Sequence, residues 1–289
     1  MDALIVGSGR CGTMLLSYCL GIHSACFVMG ESYWHIPILR RIGDRTASPD
    51  EYFALIHTTK FVNGIPTLAQ NLNLYGIQLS NFQNEYTSRF GHGLVAAKIF
   101  FENIEAILLD LTKKNRFIDK TPHYGLHIGE LVGVWPRLRI IHLIRNGRDA
   151  AASMRDHPGF QATARHGLDD WTELATAVNP AGDDNAPLPP LEWFFESWAR
   201  HVDTIRRACE KLPSGQVLEL RYEDMMADYS AKLREVCVFL GIAADEDWIT
   251  AVMANVIPQP KRKNVPDLQK ASSFARDIYD SCGYQAEAS

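Results

Sequence analysis

The residues best suited to chemistry in this sequence begin with Gly7-Ser8-Gly9-Arg10-Cys11-Gly12-Thr13-Met14, set between the apolar run Ala3–Val6 and the amphipathic stretch Thr13–Leu20. Glycines let a backbone curl so that successive N–H groups face one centre. A helix that follows adds its free N-terminal N–H groups and the positive end of its dipole. Such a turn is a cradle for an anion, phosphate above all. Taken alone, it is also the way a strand turns tightly into a helix. Arg10 is the loop's one cation. A second candidate anion site follows the apolar run Arg139–Ile144. Arg145 stands at its end and Ser153 eight residues later, about two helical turns on. If the helix turns back beside the strand end, a guanidinium and a hydroxyl converge on one phosphate, a task suited to the planar donor fork of arginine. Arg148 and Asp149 read as a solvated pair, and Ser153 by itself as a plain helix residue.

The spacing Gly7…Gly12 resembles the phosphate loop GxxxxGK[ST] of nucleotide hydrolases. The departure from it is decisive. Thr13 stands where the lysine belongs and Met14 where the magnesium-binding hydroxyl belongs, so the usual hydrolase chemistry lacks its cation and its metal ligand. A dinucleotide-binding GxGxxG also matches, but its acid, about 20 residues on, would be Glu31, displaced past Gly30.

Taken together, GSGRCGT after the first strand and IRNGRDAAAS after a later one resemble the two nucleotide signatures of the sulfotransferase family, which uses 3′-phosphoadenosine 5′-phosphosulfate (PAPS) as sulfuryl donor. The first signature is a loop of the type RxGTT, and the second an Arg with a Ser eight residues on. Asp119-Lys120-Thr121-Pro122-His123-Tyr124 resembles the family's lysine-containing turn. Arg221-Tyr222-Glu223-Asp224 followed by Phe239-Leu240-Gly241 resembles its RYEDL…FLGL block. Lys261-Arg262-Lys263 falls where the family has a basic loop that closes over the nucleotide. The resemblance runs from residue 4 to about 265 and is nearest the bacterial and Golgi-type branch; the TYPKSGTTW loop of the cytosolic steroid and phenol enzymes is absent.

The resemblance implies roles. Gly9, Arg10, Cys11, Gly12, Thr13 and Met14 hold the 5′-phosphosulfate. Cys11 and Met14 replace two hydroxyl residues of the family loop and leave the backbone donors in place. Arg145 and Ser153 hold the 3′-phosphate, and Lys261, Arg262 and Lys263 close over the nucleotide, although basic runs are often solvated surface. Tyr222 either bonds the nucleotide or only packs. Arg10 and Lys120 face the transferring group, and no metal is required. Glu31 is the general base, with His35, one helical turn on, as runner-up. The competing reading of Glu31 is an acid that complements a helix dipole. His123 and His142 read as structural. Lys98, in VAAKIFF, either lines an acceptor pocket or snorkels to the surface. The implied reaction moves a sulfuryl group to a hydroxyl or amine of a carbohydrate, lipid or small molecule. A divergent nucleotide kinase and a catalytically silent nucleotide-binding protein are the alternatives.

These residues need a scaffold. Apolar runs alternate with amphipathic ones: strands at Ala3–Val6, Ala25–Met29, Leu94–Phe101, Arg139–Ile144 and Val217–Arg221, and helices over 102–113, Gly147–Arg155, Trp193–Leu212 and Tyr229–Leu240, the last stopped by Gly241. Phe117-Ile118 begins a short edge element. Such repetition predicts an α/β fold with a mainly parallel sheet covered on both faces, in one domain over residues 1–289. Asn179–Pro190 reads as an irregular loop within a candidate lid, about 156–190, and the basic C-terminal loop spans about 258–270. The aromatics Tyr33-Trp34 and Trp193-Phe194-Phe195…Trp198 read first as core.

Composition sets outer limits. In 289 residues, 46% are hydrophobic and 22% charged, which excludes a mostly disordered chain. With 29 basic and 34 acidic residues the net charge is −5, a poor match to a general nucleic-acid or anionic-membrane binder. Six scattered cysteines without a CxxC pair suit a reduced, cytoplasmic protein. No secretory signal and no membrane span are expected, and a homodimer is left open.

Overall fold

The computed structural model describes residues 1–60, 64–171, 187–254 and 264–285. Five strands make one parallel sheet: β1 (Ala3–Val6), β2 (Cys26–Gly30), β5 (Arg116–Lys120), β6 (Arg139–Ile144) and β7 (Val217–Arg221), in the order β2-β5-β1-β6-β7. A separate antiparallel pair joins β3 (Thr46–Ala47) to β4 (Val95–Ala96). All four residues of β1 are buried, as a central parallel strand covered on both faces must be. Leu4 and Val6 pack into one core with Phe27, Phe101 and Ile104, whereas Ala3 and Ile5 face a second core with Leu16, Leu233 and Val236. This period-2 division puts the helix Thr13–Gly21 and the C-terminal helices Tyr229–Leu240 and Glu246–Met253 on one face. The helix Ala97–Thr112 lies on the other. A third core joins the helices Gly147–Arg155, Leu191–Cys209 and Ser273–Ser281.

The expected α/β class and parallel sheet are what the structure has. The order places β1 between β5 and β6, so the loops after these strands open on opposite sides of a topological switch point. In open α/β sheets such a crevice takes the ligand. Local termini follow local chemistry. Asn146 caps the helix Gly147–Arg155 by accepting from Arg148 N–H at 3.0 Å, and Gly241 ends Tyr229–Leu240 in the left-handed region (φ 66°).

Two expectations on elements are corrected. Leu94–Phe101 is not a strand: only Val95–Ala96 is extended, and a helix starts at Ala97. Phe100, Phe101, Ile104, Ile107 and Leu108 are buried at helical spacing, so the apolar run is the first turns of an amphipathic helix. Lys98 is therefore on a helix and absent from the lining of the strand-end cleft. Its side chain is half-exposed beside Glu102, 3.9 Å away on the next turn. The element at Phe117-Ile118 is not an edge either, since β5 lies between β2 and β1 and its Phe117 and Ile118 are wholly buried.

Candidate active site

The loop after β1 meets the conformational demand its glycines suggested. Gly9 (φ 81°) and Gly12 (φ 98°) are left-handed, and Arg10 between them is too (φ 54°). A Cβ on Gly9 would meet the Phe160 ring at 2.4 Å, and one on Gly12 the Tyr222 ring at 2.6 Å. Glycine is thus required by backbone and neighbours alike. Gly12 leads into the helix Thr13–Gly21 without a side-chain cap, so the positive end of the helix dipole faces the cleft.

A cleft of about 680 Å³ opens at this loop. Gly9, Arg10, Gly12, Thr13 and Met14 line it from β1, Glu31 from β2, Lys120 from β5, Arg145 from β6 and Tyr222 from the end of β7. The C-terminal ends of all five strands therefore contribute. Cys11 is fully buried and absent from the cleft lining, with its thiol pushed up to about 11 by burial. Ser153 is buried beside the loop and accepts from Arg10 Nε at 3.1 Å, so the two signatures touch directly. Lys261, Arg262 and Lys263, and with them the first part of the basic loop, lie outside the described residues, as does the larger part of Asn179–Pro190.

At the end of the cleft nearest β6, Arg145 is 6% exposed and donates from one terminal nitrogen to the Arg10 carbonyl at 3.2 Å. Its guanidinium lies 4.8 Å from the centre of the Tyr222 ring. Its Nε is buried and makes no hydrogen bond among the described residues. A buried, unsatisfied guanidinium N–H beside a glycine loop and a helix N-terminus fits an anionic ligand. Tyr222 packs on both Gly12 and Arg145 while lining the cleft.

At the other end Lys120 Nζ and Glu31 Oε1 are 2.7 Å apart. The lysine is 2% exposed, and such a burial is costly unless the charge is paired. Glu31 (φ 51°) and Tyr33 (φ 53°) are left-handed without being glycine, each at a cost of about 1–3 kcal/mol that its surroundings must offset. His35 is buried, bonded through Nδ1 to the Ser32 hydroxyl at 3.1 Å, and absent from the cleft lining; burial holds its imidazole well below the usual range. This leaves Glu31, not His35, facing the cleft. His142 sits inside β6 beside Glu219 at 3.2 Å, a structural position.

His123 departs from the structural reading because it lines the cleft. Its Nδ1 accepts from Trp171 N–H at 3.1 Å, which leaves the proton of the neutral ring on Nε2. Burial and the neighbouring His201 hold its pKa down at about 3. Sequence reasoning missed its companions His157, Phe160 and Trp171; Tyr33, read as core, is buried as expected and also reaches the cleft lining. Phe160 and Trp171 rings are 4.9 Å apart, and Tyr33 stacks on Trp171 at 6.3 Å. The available signal was the aromatic content of the segment between the second signature and the Pro-rich run, but nothing local ties it to Glu31. Trp34, Phe194, Phe195 and Trp198 are core, as expected.

A glycine loop, a helix N-terminus and converging cations meet at the strand ends of an α/β sheet, an arrangement whose charge suits an anion. A profile of the sulfotransferase family matches residues 3–247. The chain belongs to that family. Its fold is shared with the sulfotransferase domain from the curacin biosynthetic pathway, 14% identical over 98% of both chains with a TM-score of 0.57. It is shared as well with sulfotransferase STF9 from Mycobacterium avium, 15% identical over 100% of this chain and 78% of that one, with a TM-score of 0.54. An uncharacterized protein of Aquifex aeolicus (strain VF5) is 24% identical over 236 residues, 81% of this chain; the chain spans only 25% of that relative's length. Among the described residues no helix is long and apolar enough to cross a membrane, and no group of His, Cys, Asp and Glu is arranged to hold a metal ion.

Proposed function

We propose that the protein moves a sulfuryl group from PAPS to a hydroxyl or amine of a small-molecule, lipid or carbohydrate acceptor. The observation that carries this reading is the convergence of Arg10, Lys120 and Arg145, from three strand ends, on one glycine-loop cleft in a chain of net charge −5. The loop N–H groups, Arg10 and Thr13 hold the 5′-phosphosulfate. Arg145 and Ser153 hold the 3′-phosphate. When bound, PAPS supplies a sulfuryl group whose bond to the 5′-phosphate breaks as the acceptor oxygen or nitrogen attacks sulfur.

The residues do their part by position and charge, as in phosphoryl transfer. Lys120 and Arg10 stabilise negative charge on the transferring and leaving oxygens. An anion entering the cleft competes with Glu31 for the Lys120 ammonium, and the freed carboxylate takes the acceptor's proton. The kinase alternative is disfavoured by Thr13 and Met14. A silent binding protein has no need of a carboxylate and an ammonium side by side in the cleft.

The same reading includes one domain over residues 1–289, no nucleic-acid partner, and a cytoplasmic setting in keeping with six free thiols. Calorimetry tests its core. Adenosine 3′,5′-bisphosphate (PAP) should bind at least about tenfold tighter than ATP, a difference of about 1.4 kcal/mol; equal affinities overturn the donor assignment. A screen with labelled PAPS over glycans, lipids, alcohols and amines identifies the acceptor.

A further inference from the structure

The Glu31–Lys120 pair sits on two strands whose ends are joined by more than their ladder. Glu31 N–H donates to the Lys120 carbonyl at 2.7 Å. One residue on, Ser32 N–H donates to the Thr121 hydroxyl oxygen at 2.9 Å. That hydroxyl donates in turn to Asp119 Oδ1 at 2.6 Å. Asp119 and Thr121 are both completely buried, so no water competes for the hydroxyl proton. With the proton committed to the carboxylate, the Thr121 oxygen presents only lone pairs to Ser32.

Ser32 is the residue between the two left-handed positions, Glu31 and Tyr33. It is fully buried, and its carbonyl accepts from the Thr67 hydroxyl at 2.6 Å. Its own hydroxyl donates to the Tyr124 oxygen at 3.2 Å. Left-handed non-glycine residues persist only where surrounding bonds over-determine them. Here those bonds converge on the one residue that links them. Neither Asp119 nor Thr121 lines the cleft.

We infer that Asp119 and Thr121 form a positioning strap that holds the Glu31 carboxylate at the reacting end of the cleft. Both act through the Glu31–Ser32 backbone and touch no substrate. The inference rests on the proposed role of Glu31 as base. Thr121→Val keeps the side-chain shape and removes the hydroxyl. Its kcat for PAPS turnover, read as PAP release with water as acceptor, should fall about 10–100-fold. KM for PAPS and the calorimetric affinity for PAP should stay within about twofold, because the nucleotide end is untouched. Hydrogen exchange at the Ser32 amide should quicken by about tenfold. Thr121→Ser should restore all of these.

A kcat for Thr121→Val close to that of the unaltered protein overturns the strap, as does PAP affinity falling in step with kcat. Unchanged exchange at Ser32 overturns it whatever PAPS does. If Thr121→Val and Thr121→Ala both fail to fold while Thr121→Ser folds, the hydroxyl serves the fold alone and the inference is lost. A protein that binds ATP as well as PAP overturns the donor reading instead, and exchange at Ser32 still decides the strap.

Discussion

The two ends of the cleft solve one problem, an unusual backbone beside a charged group, by different means. At the end formed by the glycine loop, the proposed nucleotide end, the left-handed turns fall largely on Gly9 and Gly12, residues that adopt them at no steric cost. At the reacting end they fall on Glu31 and Tyr33, and the hydrogen bonds of Ser32 to Thr121, Thr67 and Tyr124 hold them. The first end is shaped by its own short segment. The second is shaped by residues up to about ninety positions away, such as Thr121 and Tyr124. A loop that must bind any phosphate needs only donors in a ring. A carboxylate that must meet a proton on one atom needs a fixed direction, and long-range bonds supply it.

The sharpest division of labour between the ends is tested at Lys120. Lys120→Ala should cost about 10²–10³ in transfer rate, with PAP affinity by calorimetry largely intact; a fully active variant removes Lys120 from the mechanism. Arg145→Ala should do the reverse. It should weaken PAP binding by about 10–100-fold, the worth of a charge-assisted pair, and a variant that binds PAP normally but turns over slowly would erase the distinction between the ends.

The pH dependence of stability probes the reacting end. The folded pKa of His123, about 3, lies below its ordinary 6.5, so the folded state binds the proton less readily than the unfolded one. Its contribution is fully present above pH 6.5 and is lost as pH falls towards 3. Between pH 6.5 and 5 that amounts to about 2 kcal/mol. His123→Gln should therefore flatten the acid limb of denaturant-derived stability; an unchanged slope refutes the burial account. The smallest effect is expected at Met14, 63% exposed in the first turn of the loop helix. Met14→Thr restores a hydroxyl and should tighten PAP by about two- to fivefold. No change would assign the cradle to backbone donors alone.

Much of this was legible in the sequence because it is local. The strand–glycine loop–helix unit, the Arg145–Ser153 spacing and the Gly241 stop each depend on neighbours within about ten residues. Lys98 shows where such reading fails. Seven apolar residues and one lysine suit a buried strand and the buried stripe of a helix equally, and only the packing of Phe100, Phe101 and Ile104 against the sheet decides between them. The position of β5 is a second case. Its composition reveals nothing about which strands will flank it, yet its interior place is what brings Lys120 beside Glu31.

By itself the sequence determined which residues could hold phosphate groups, because glycine conformation, helix ends and arginine geometry are properties of short segments. It also determined the α/β class, through the alternation of buried and amphipathic runs. Only the tertiary structure decided that Arg10 touches Ser153, that His123 faces the cleft while His35 does not, and that the left-handed Glu31 is held in place from β5. Those are relations between strand ends, fixed by sheet order and by the burial of polar groups that must find partners.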